Sequence, residues 1–262
     1  MQIERTTPTV MRDWLAEFEG TYAGSPSAVQ SRVHRDVLGS EHPAGLDPHS
    51  FVSLTELERF RQELRVGPGD RLVDVGCGRG GAGLWVAAST GARLVGLDVA
   101  PAGVEAARQR ASAMGMQAEF RVGSFEQTGL DDEAADAVMS VDALLYTPNK
   151  AAALYELRRV LRRQGRLVLT SWDYHRQPVG RPPQVDDHRP LLFAAGFEVE
   201  AYEETEDWLE RQRRMFHGLL ELSDELAAET AENVEDVRAR LTDTISTFSA
   251  MSRRFLLVAT AV

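Results

Sequence analysis

Leu72-Val73-Asp74-Val75-Gly76-Cys77-Gly78-Arg79-Gly80-Gly81 decides how this chain is read. An apolar strand carrying one acid near its end breaks into a glycine-rich turn. A second apolar run, Ala92-Arg93-Leu94-Val95-Gly96-Leu97-Asp98, follows and also ends in an acid. Glycine suits such a turn because it takes positive φ and, lacking a Cβ, lets backbone approach a ligand closely. A helix starting near Gly81 aims its unpaired N–H groups and positive dipole end at whatever lies above the turn. An anionic group is favoured there.

Gly76-x-Gly78-x-x-Gly81 also fits the dinucleotide fingerprint, and Asp98 follows its first glycine by about 20 residues, where an acid meets ribose hydroxyls. Asp74 separates the two readings. A carboxylate just ahead of the first glycine repels a pyrophosphate and attracts an ammonium. Two carboxylates at the tips of neighbouring parallel strands make a site for a nucleoside that bears a free amine. S-adenosylmethionine is such a nucleoside, and a nicotinamide-dependent oxidoreductase sharing the turn is the rival.

At 262 residues and 43% hydrophobic content, the chain fits one α/β domain with insertions. Its net charge of −11 argues against a nucleic-acid partner. The basic run Arg158-Arg159-Val160-Leu161-Arg162-Arg163 reads as a solvated helix face, since Leu154, Leu157, Val160 and Leu161 keep helical spacing. The single cysteine, Cys77, excludes an internal disulfide and a cysteine-rich zinc site. No apolar run reaches membrane-spanning length and no signal peptide opens the chain, so a soluble cytoplasmic protein without membrane contact is expected.

Residues 10–20 predict a short amphipathic helix and Ser53 to Leu64 a second, with turn formers from Gly39 to His49 between them. From 70 to 170 strand and helix alternate, the pattern of a parallel sheet covered on both faces. Strands are expected near 71–75, 93–97, 118–122, 136–141 and 166–171, and helices near 82–89, 102–114 and 150–162. Gly165 reads as the stop of the last helix. Arg189 to Ala195 predicts a helix, and Phe197 to Tyr202 and Phe255 to Val262 closing strands. The helical stretch 207–252 reads as a lid, with Trp208, Met215, Leu219, Leu222 and Leu226 on one face.

Four blocks together resemble the class I, Rossmann-like S-adenosylmethionine-dependent methyltransferases of small-molecule type. They are Val73 to Gly80, Gly96-Leu-Asp-Val99, Asp136 to Leu145, and Glu156 to Val168. The likeness covers roughly 65–202, and 255–262 more weakly. It implies a doubly wound α/β fold whose seven-stranded, mostly parallel sheet has the order 3-2-1-4-5-7-6, strand 7 antiparallel. N-terminal helices (1–64) would cap a core formed by 65–206 and 253–262, and 207–252 would be a helical lid between strands 6 and 7.

The resemblance also assigns the donor site. Gly76, Cys77 and Gly78 would meet the methionine part through backbone, with Asp74 near its ammonium. Asp98 would take the ribose hydroxyls, and Val99 would pack on adenine. Where relatives often place an acid on the adenine amine, this chain has Ser124, followed by Phe125. Val141 and Asp142 would line the sulfonium end, and Tyr22 would close over the donor.

Methyl transfer from a sulfonium chiefly needs alignment and exclusion of water, and positioning alone contributes ~7–11 kcal/mol. A base helps when the attacking atom carries a proton, adding about 10²–10⁴-fold. Relatives often carry a histidine where this chain has Leu145 and Tyr146, so the candidates are His175 after strand 5, His217 on the lid and Tyr146. The aromatic set Tyr146, Trp172, Tyr174, Trp208 and Phe216 points to an apolar or aromatic small-molecule acceptor, with oxygen favoured over carbon or nitrogen. His34, His42, His49 and His188 read as structural or solvated, and no metal is expected. A repurposed relative that binds the donor without methylating is the second rival.

Overall fold

The computed structural model of the protein describes residues 13–46 and 49–262. Among these, seven strands form one sheet: β1 (Arg71–Val75), β2 (Arg93–Asp98), β3 (Glu119–Val122), β4 (Ala135–Val141), β5 (Leu161–Tyr174), β6 (Phe197–Glu204) and β7 (Met251–Ala261). Their order is β3-β2-β1-β4-β5-β7-β6. Neighbours from β3 to β5 pair in parallel, whereas β7 runs antiparallel to both β5 and β6. This is the architecture that the resemblance implies.

The helices are α1 (Trp14–Ala23), α2 (Ala28–Leu38), α3 (Leu54–Glu63), α4 (Gly81–Thr90), α5 (Pro101–Ala113), α6 (Lys150–Val160), α7 (Arg189–Ala195), α8 (Trp208–Glu221), α9 (Ser223–Thr230) and α10 (Val234–Thr247). The central strands are apolar on both faces because helices cover both. Val73, Val95 and Val138 pack with Leu154 and Leu157 of α6 and Leu192 of α7. Leu72, Leu94 and Met139 face the other way, onto Phe60 of α3, Leu84 of α4 and Val104 of α5. Side chains alternate along a strand, so Asp74 shares the Leu72 face and lies under α4. That parity puts the acid where a helix begins.

Three features depart from the sequence reading. First, α6 ends at Val160, and Gly165 is not its stop. Gln164 has φ 63, and a Cβ on Gly165 would lie 2.8 Å from the Arg162 carbonyl oxygen. Gly165 therefore serves a kink inside β5, where the pairing with β4 shifts register between Ala135 and Ala137.

Second, α2 has no counterpart in the expected elements, although Ser27 caps it by accepting from Gln30 N–H at 3.0 Å. Third, 207–252 is helical but lines no part of the cavity described below. Met215, Leu219 and Val237 pack instead on Val29 and Val33 of α2. The insertion buttresses α2, and the cover of the cavity is α1. Of the first expected helix, residues 10–12 lie outside the described residues, and α1 begins at Trp14. No helix among the described residues is long and apolar enough to cross a membrane.

Candidate functional site

At the carboxyl ends of β1, β2 and β4 the sheet opens into a cavity of about 430 Å³. The glycine turn forms its floor. Gly76 and Cys77 N–H both donate to the Leu97 carbonyl, at 2.8 and 3.0 Å, which ties the turn to the tip of β2. Gly76 has φ +75, and a Cβ there would lie 2.4 Å from the Ala143 Cβ. Gly78 has φ +50, and its Cβ would lie 2.8 Å from the Tyr22 hydroxyl. Both positions combine a left-handed backbone with no room for a side chain, so glycine is demanded twice over.

Two carboxylates are buried in this floor, with Asp74 2% and Asp98 6% exposed. Asp98 accepts from Gly78 N–H at 2.7 Å and from Ala100 N–H at 2.9 Å. Burial still pushes its pKa upward, against the pull of those donors and of Val99 N–H. Asp74 has less help. Burial, and then the Asp98 charge, raise it from 3.8 to about 7, and the Gly83 N–H at the start of α4 only partly offsets this. Neither acid has a cationic side-chain partner among the described residues. Two buried acids that meet no cationic side chain among the described residues suit a ligand that brings positive charge and hydroxyl donors.

The roof is α1. Its Trp14, Phe18 and Tyr22 face the cavity. Tyr146, beyond β4, completes an aromatic cluster with ring centroids 4.8 Å from Trp14 and 4.9 Å from Phe18, the latter edge-on. Arg79, in the glycine turn, donates to the Thr21 and Gly24 carbonyls at 2.9 and 2.7 Å. It thus satisfies carbonyls at the end of α1 that the helix leaves open. The roof is clamped to the floor by a residue of the motif itself. No local signal in the sequence links Arg79 to residues so far away.

Asp142 lies at the end of β4 with φ 55. Its carboxylate accepts from Arg254 Nε at 3.0 Å, from the Thr170 hydroxyl at 2.8 Å and from Phe51 N–H at 2.8 Å. Arg254 comes from β7, is buried, and also donates to Glu56, the acid of the capping box that opens α3. Asp142 therefore lines the cavity, but its charge is spent in a buried ion pair that joins β4, β7 and the loop before α3. It is not placed to act as a base.

The fold brings all eleven residues expected around the donor onto this one cavity: Tyr22, Asp74, Gly76, Cys77, Gly78, Asp98, Val99, Ser124, Phe125, Val141 and Asp142. Ser124 uses its hydroxyl to accept from Gln127 N–H in a local turn. The Cys77 thiol is buried and its pKa is driven up by burial and both carboxylates, which leaves it inert. Of the candidate catalytic groups, Tyr146 lines the cavity, whereas His175 and His217 are both exposed and lie outside it. Trp172, Tyr174 and Trp208 lie outside the lining in a buried cluster with Leu145, against which Tyr146 packs, and Phe216 packs beside Phe51 and Phe248. Helical and loop spacing alone cannot say which end of a strand a following side chain reaches. His49 is exposed, as the solvated reading expects, and borders the cavity as the one imidazole in its lining. Among the described residues no cluster of His, Cys, Asp and Glu could hold a metal ion.

Residues 73–169 match a family model described as a methyltransferase domain. That stretch runs from β1 through the glycine turn to β5 and so carries the floor of the cavity. The methyltransferase GfsG of Streptomyces halstedii is 29% identical over 129 residues, 48% of this chain and 46% of GfsG. The chloroplastic tocopherol O-methyltransferase of Arabidopsis thaliana is 26% identical over 194 residues, 67% of this chain and 53% of that protein. The chain thus spans about half the length of these curated relatives. Among solved structures, the [4+2]-cyclase SpnF shares the fold of the domain with a TM-score of 0.72 at 20% identity, over 94% of this chain and 96% of that one.

Proposed function

We propose that this protein transfers the methyl group of S-adenosylmethionine to a small-molecule acceptor, with oxygen as the favoured acceptor atom. The observation that carries the reading is the buried pair Asp74 and Asp98, which flanks the glycine turn and meets no cationic side chain among the described residues. Asp74 would hold the methionine ammonium, which supplies the missing charge. Asp98, already held by backbone donors, would also accept from the ribose hydroxyls. Val99 and Phe125 offer apolar faces for adenine. The donor, when bound, supplies an already activated methyl group on a cationic sulfur.

The protein's own part is positioning and dryness. α1 covers the cavity with Trp14, Phe18 and Tyr22, and Arg79 keeps that cover in place. Holding an acceptor in near-attack geometry accounts for ~7–11 kcal/mol of the barrier without any covalent catalysis. The aromatic cluster around Tyr146 favours a flat, apolar acceptor. The tocopherol O-methyltransferase likeness supports oxygen as the acceptor atom.

Isothermal titration with S-adenosylhomocysteine and with NADH tests the reading. Binding of the sulfur nucleoside alone is expected, and binding of the dinucleotide alone overturns it. Transfer of label from a methyl-labelled donor to small-molecule acceptors then separates a methyltransferase from a donor-binding relative of other chemistry, since one fold hosts several.

A further inference from the structure

We propose that Arg181 anchors the methyl acceptor by an anionic end, so that the acceptor is an aromatic small molecule carrying a carboxylate. The proposal rests on the donor reading above and names the acceptor class for the same cavity. Four arginines are buried among the described residues: Arg79, Arg166, Arg181 and Arg254. Three of them are engaged. Arg79 donates to the carbonyls at the end of α1, Arg166 to Glu63 and Thr260, and Arg254 to Asp142 and Glu56. The Arg181 guanidinium donates to no group and meets no carboxylate among the described residues. The chain has 40 acidic residues against 29 basic ones, yet none of the described acids is placed to neutralise this cation. A buried charge without a partner is costly, and an anionic ligand removes that cost.

Arg181 is 9% exposed, and its contact is aromatic, with Cζ 4.4 Å from the centroid of the Trp14 ring. An indole face attracts the cation but gives its N–H fork no ordinary acceptor. None of these N–H groups is both unpaired and sealed from solvent, so a ligand can reach the fork. Burial pushes the nearby Tyr174 phenol up, and the Arg181 charge pulls it back. Arg181 is the cation that acts on that phenol. One guanidinium matches a singly charged carboxylate in charge and in planar, two-pronged geometry. The loop that carries it is built. Tyr174 N–H donates to the Val185 carbonyl at 2.8 Å, which closes the loop after β5. The Gln177 amide donates to the carbonyls of Pro178, Arg181 and Pro182 at 3.0, 3.0 and 3.1 Å. Gln184 Nε2 ties the loop to the Leu145 carbonyl at 2.8 Å, next to Tyr146. The Arg181 backbone is thus fixed before any ligand arrives, as a preorganised anchor requires.

Trp14 and Tyr146 line the cavity with ring centroids 4.8 Å apart, so Arg181 stands at the Trp14 end of the roof. Tyr22, at the other end of α1, has its hydroxyl over Gly78 in the glycine turn. Trp14 and Tyr22 are about 12 Å apart along the helix. Asp74 and Asp98 belong to the glycine-turn end, and the Arg181 charge belongs to the far end. An acceptor lying under Phe18, between the two, turns its attacking atom toward the donor and its carboxylate toward Arg181. The separation also keeps that carboxylate from the two acids that would repel it.

The test titrates the full chain, loaded with S-adenosylhomocysteine, with 4-hydroxybenzoate, 3,4-dihydroxycinnamate and indole-3-acetate, each against its primary amide. At least one acid is expected to bind about 10–10²-fold more tightly than its amide. Arg181→Met should bring that acid down to the affinity of the amide, whereas a role in the fold alone would weaken acid and amide together. Arg181→Lys keeps the charge and loses the fork, so it should retain a smaller preference. No preference for any acid, or a preference that survives Arg181→Met, overturns the proposal. Should Arg181→Met fail to fold, an undiminished preference in Arg181→Lys overturns it. The nucleoside titrated alone separates the two readings. If it binds and no acid is preferred, only this proposal falls; if it does not bind, the donor reading falls and this proposal with it.

Discussion

Replacing Asp74 by Asn should both strengthen the empty protein at mildly alkaline pH and cripple the donor site. The folded protein holds a proton on Asp74 up to about 7, against 3.8 for an ordinary aspartate. At about 1.4 kcal/mol per tenfold, that difference is about 4 kcal/mol for keeping the charge in place without a partner. Between about 4 and about 7 the folded chain binds more protons at this site than the unfolded chain. Stability from this group is therefore greatest below the unfolded pKa, declines as pH rises, and is lost once the folded pKa is passed. The Asp74→Asn variant carries no such slope.

Binding runs the other way. An ammonium partner favours the ionised carboxylate, so nucleoside binding below about pH 7 must expel a proton from Asp74. Affinity for S-adenosylhomocysteine should rise with pH by up to about tenfold per unit, then level off above about 7. The variant should lose that dependence and bind about 10²–10³-fold more weakly, since an ammonium facing a neutral amide keeps only part of a buried pair. Titration calorimetry in two buffers of different ionisation enthalpy counts the proton directly, and thermal unfolding at about pH 6 and about pH 8 reads the stability slope. An Asp74→Asn protein that binds the nucleoside with undiminished affinity, or an unmodified protein that releases no proton on binding, refutes the reasoning.

Arg254→Met leaves Asp142 and Glu56 as buried acids without their cation; urea unfolding should report a loss of about 3–5 kcal/mol. Gly76→Ala meets a left-handed φ and an Ala143 contact of 2.4 Å, so a loss of about 2–4 kcal/mol is expected by the same assay. Arg79→Met removes both hydrogen bonds that hold the end of α1. In stopped flow, S-adenosylhomocysteine should then leave about tenfold faster or more, at about 1.5–3 kcal/mol per bond to a charged donor, while the core melts nearly as before.

Much of the fold was legible because hydrophobic periodicity and glycine punctuation are local signals. The run from Leu72 to Gly81 carries strand, acid, turn and helix start in sequence order, and β1, the turn and α4 follow it closely. Gly165 misled because a glycine after an arginine-rich helix looks like a stop, while its actual reason is the approach of the Arg162 and Asp136 carbonyl oxygens inside a kinked strand. The long-range parts carried no local mark. Arg254 reads as one more residue of a closing strand, yet it joins α3 to Asp142. His49 sits among turn formers that give no hint of facing a cavity. His175 and His217 drew attention by their place in the chain, and the folded structure turns both toward solvent.

A crystal structure of the protein with S-adenosylhomocysteine tests the central claim most directly. The account expects the ribose hydroxyls within about 3 Å of the Asp98 carboxylate and the ammonium on the Asp74 side of the glycine turn, under a closed α1. A nucleoside bound elsewhere, or one in this cavity with its ribose away from Asp98 and its ammonium turned from Asp74, contradicts it.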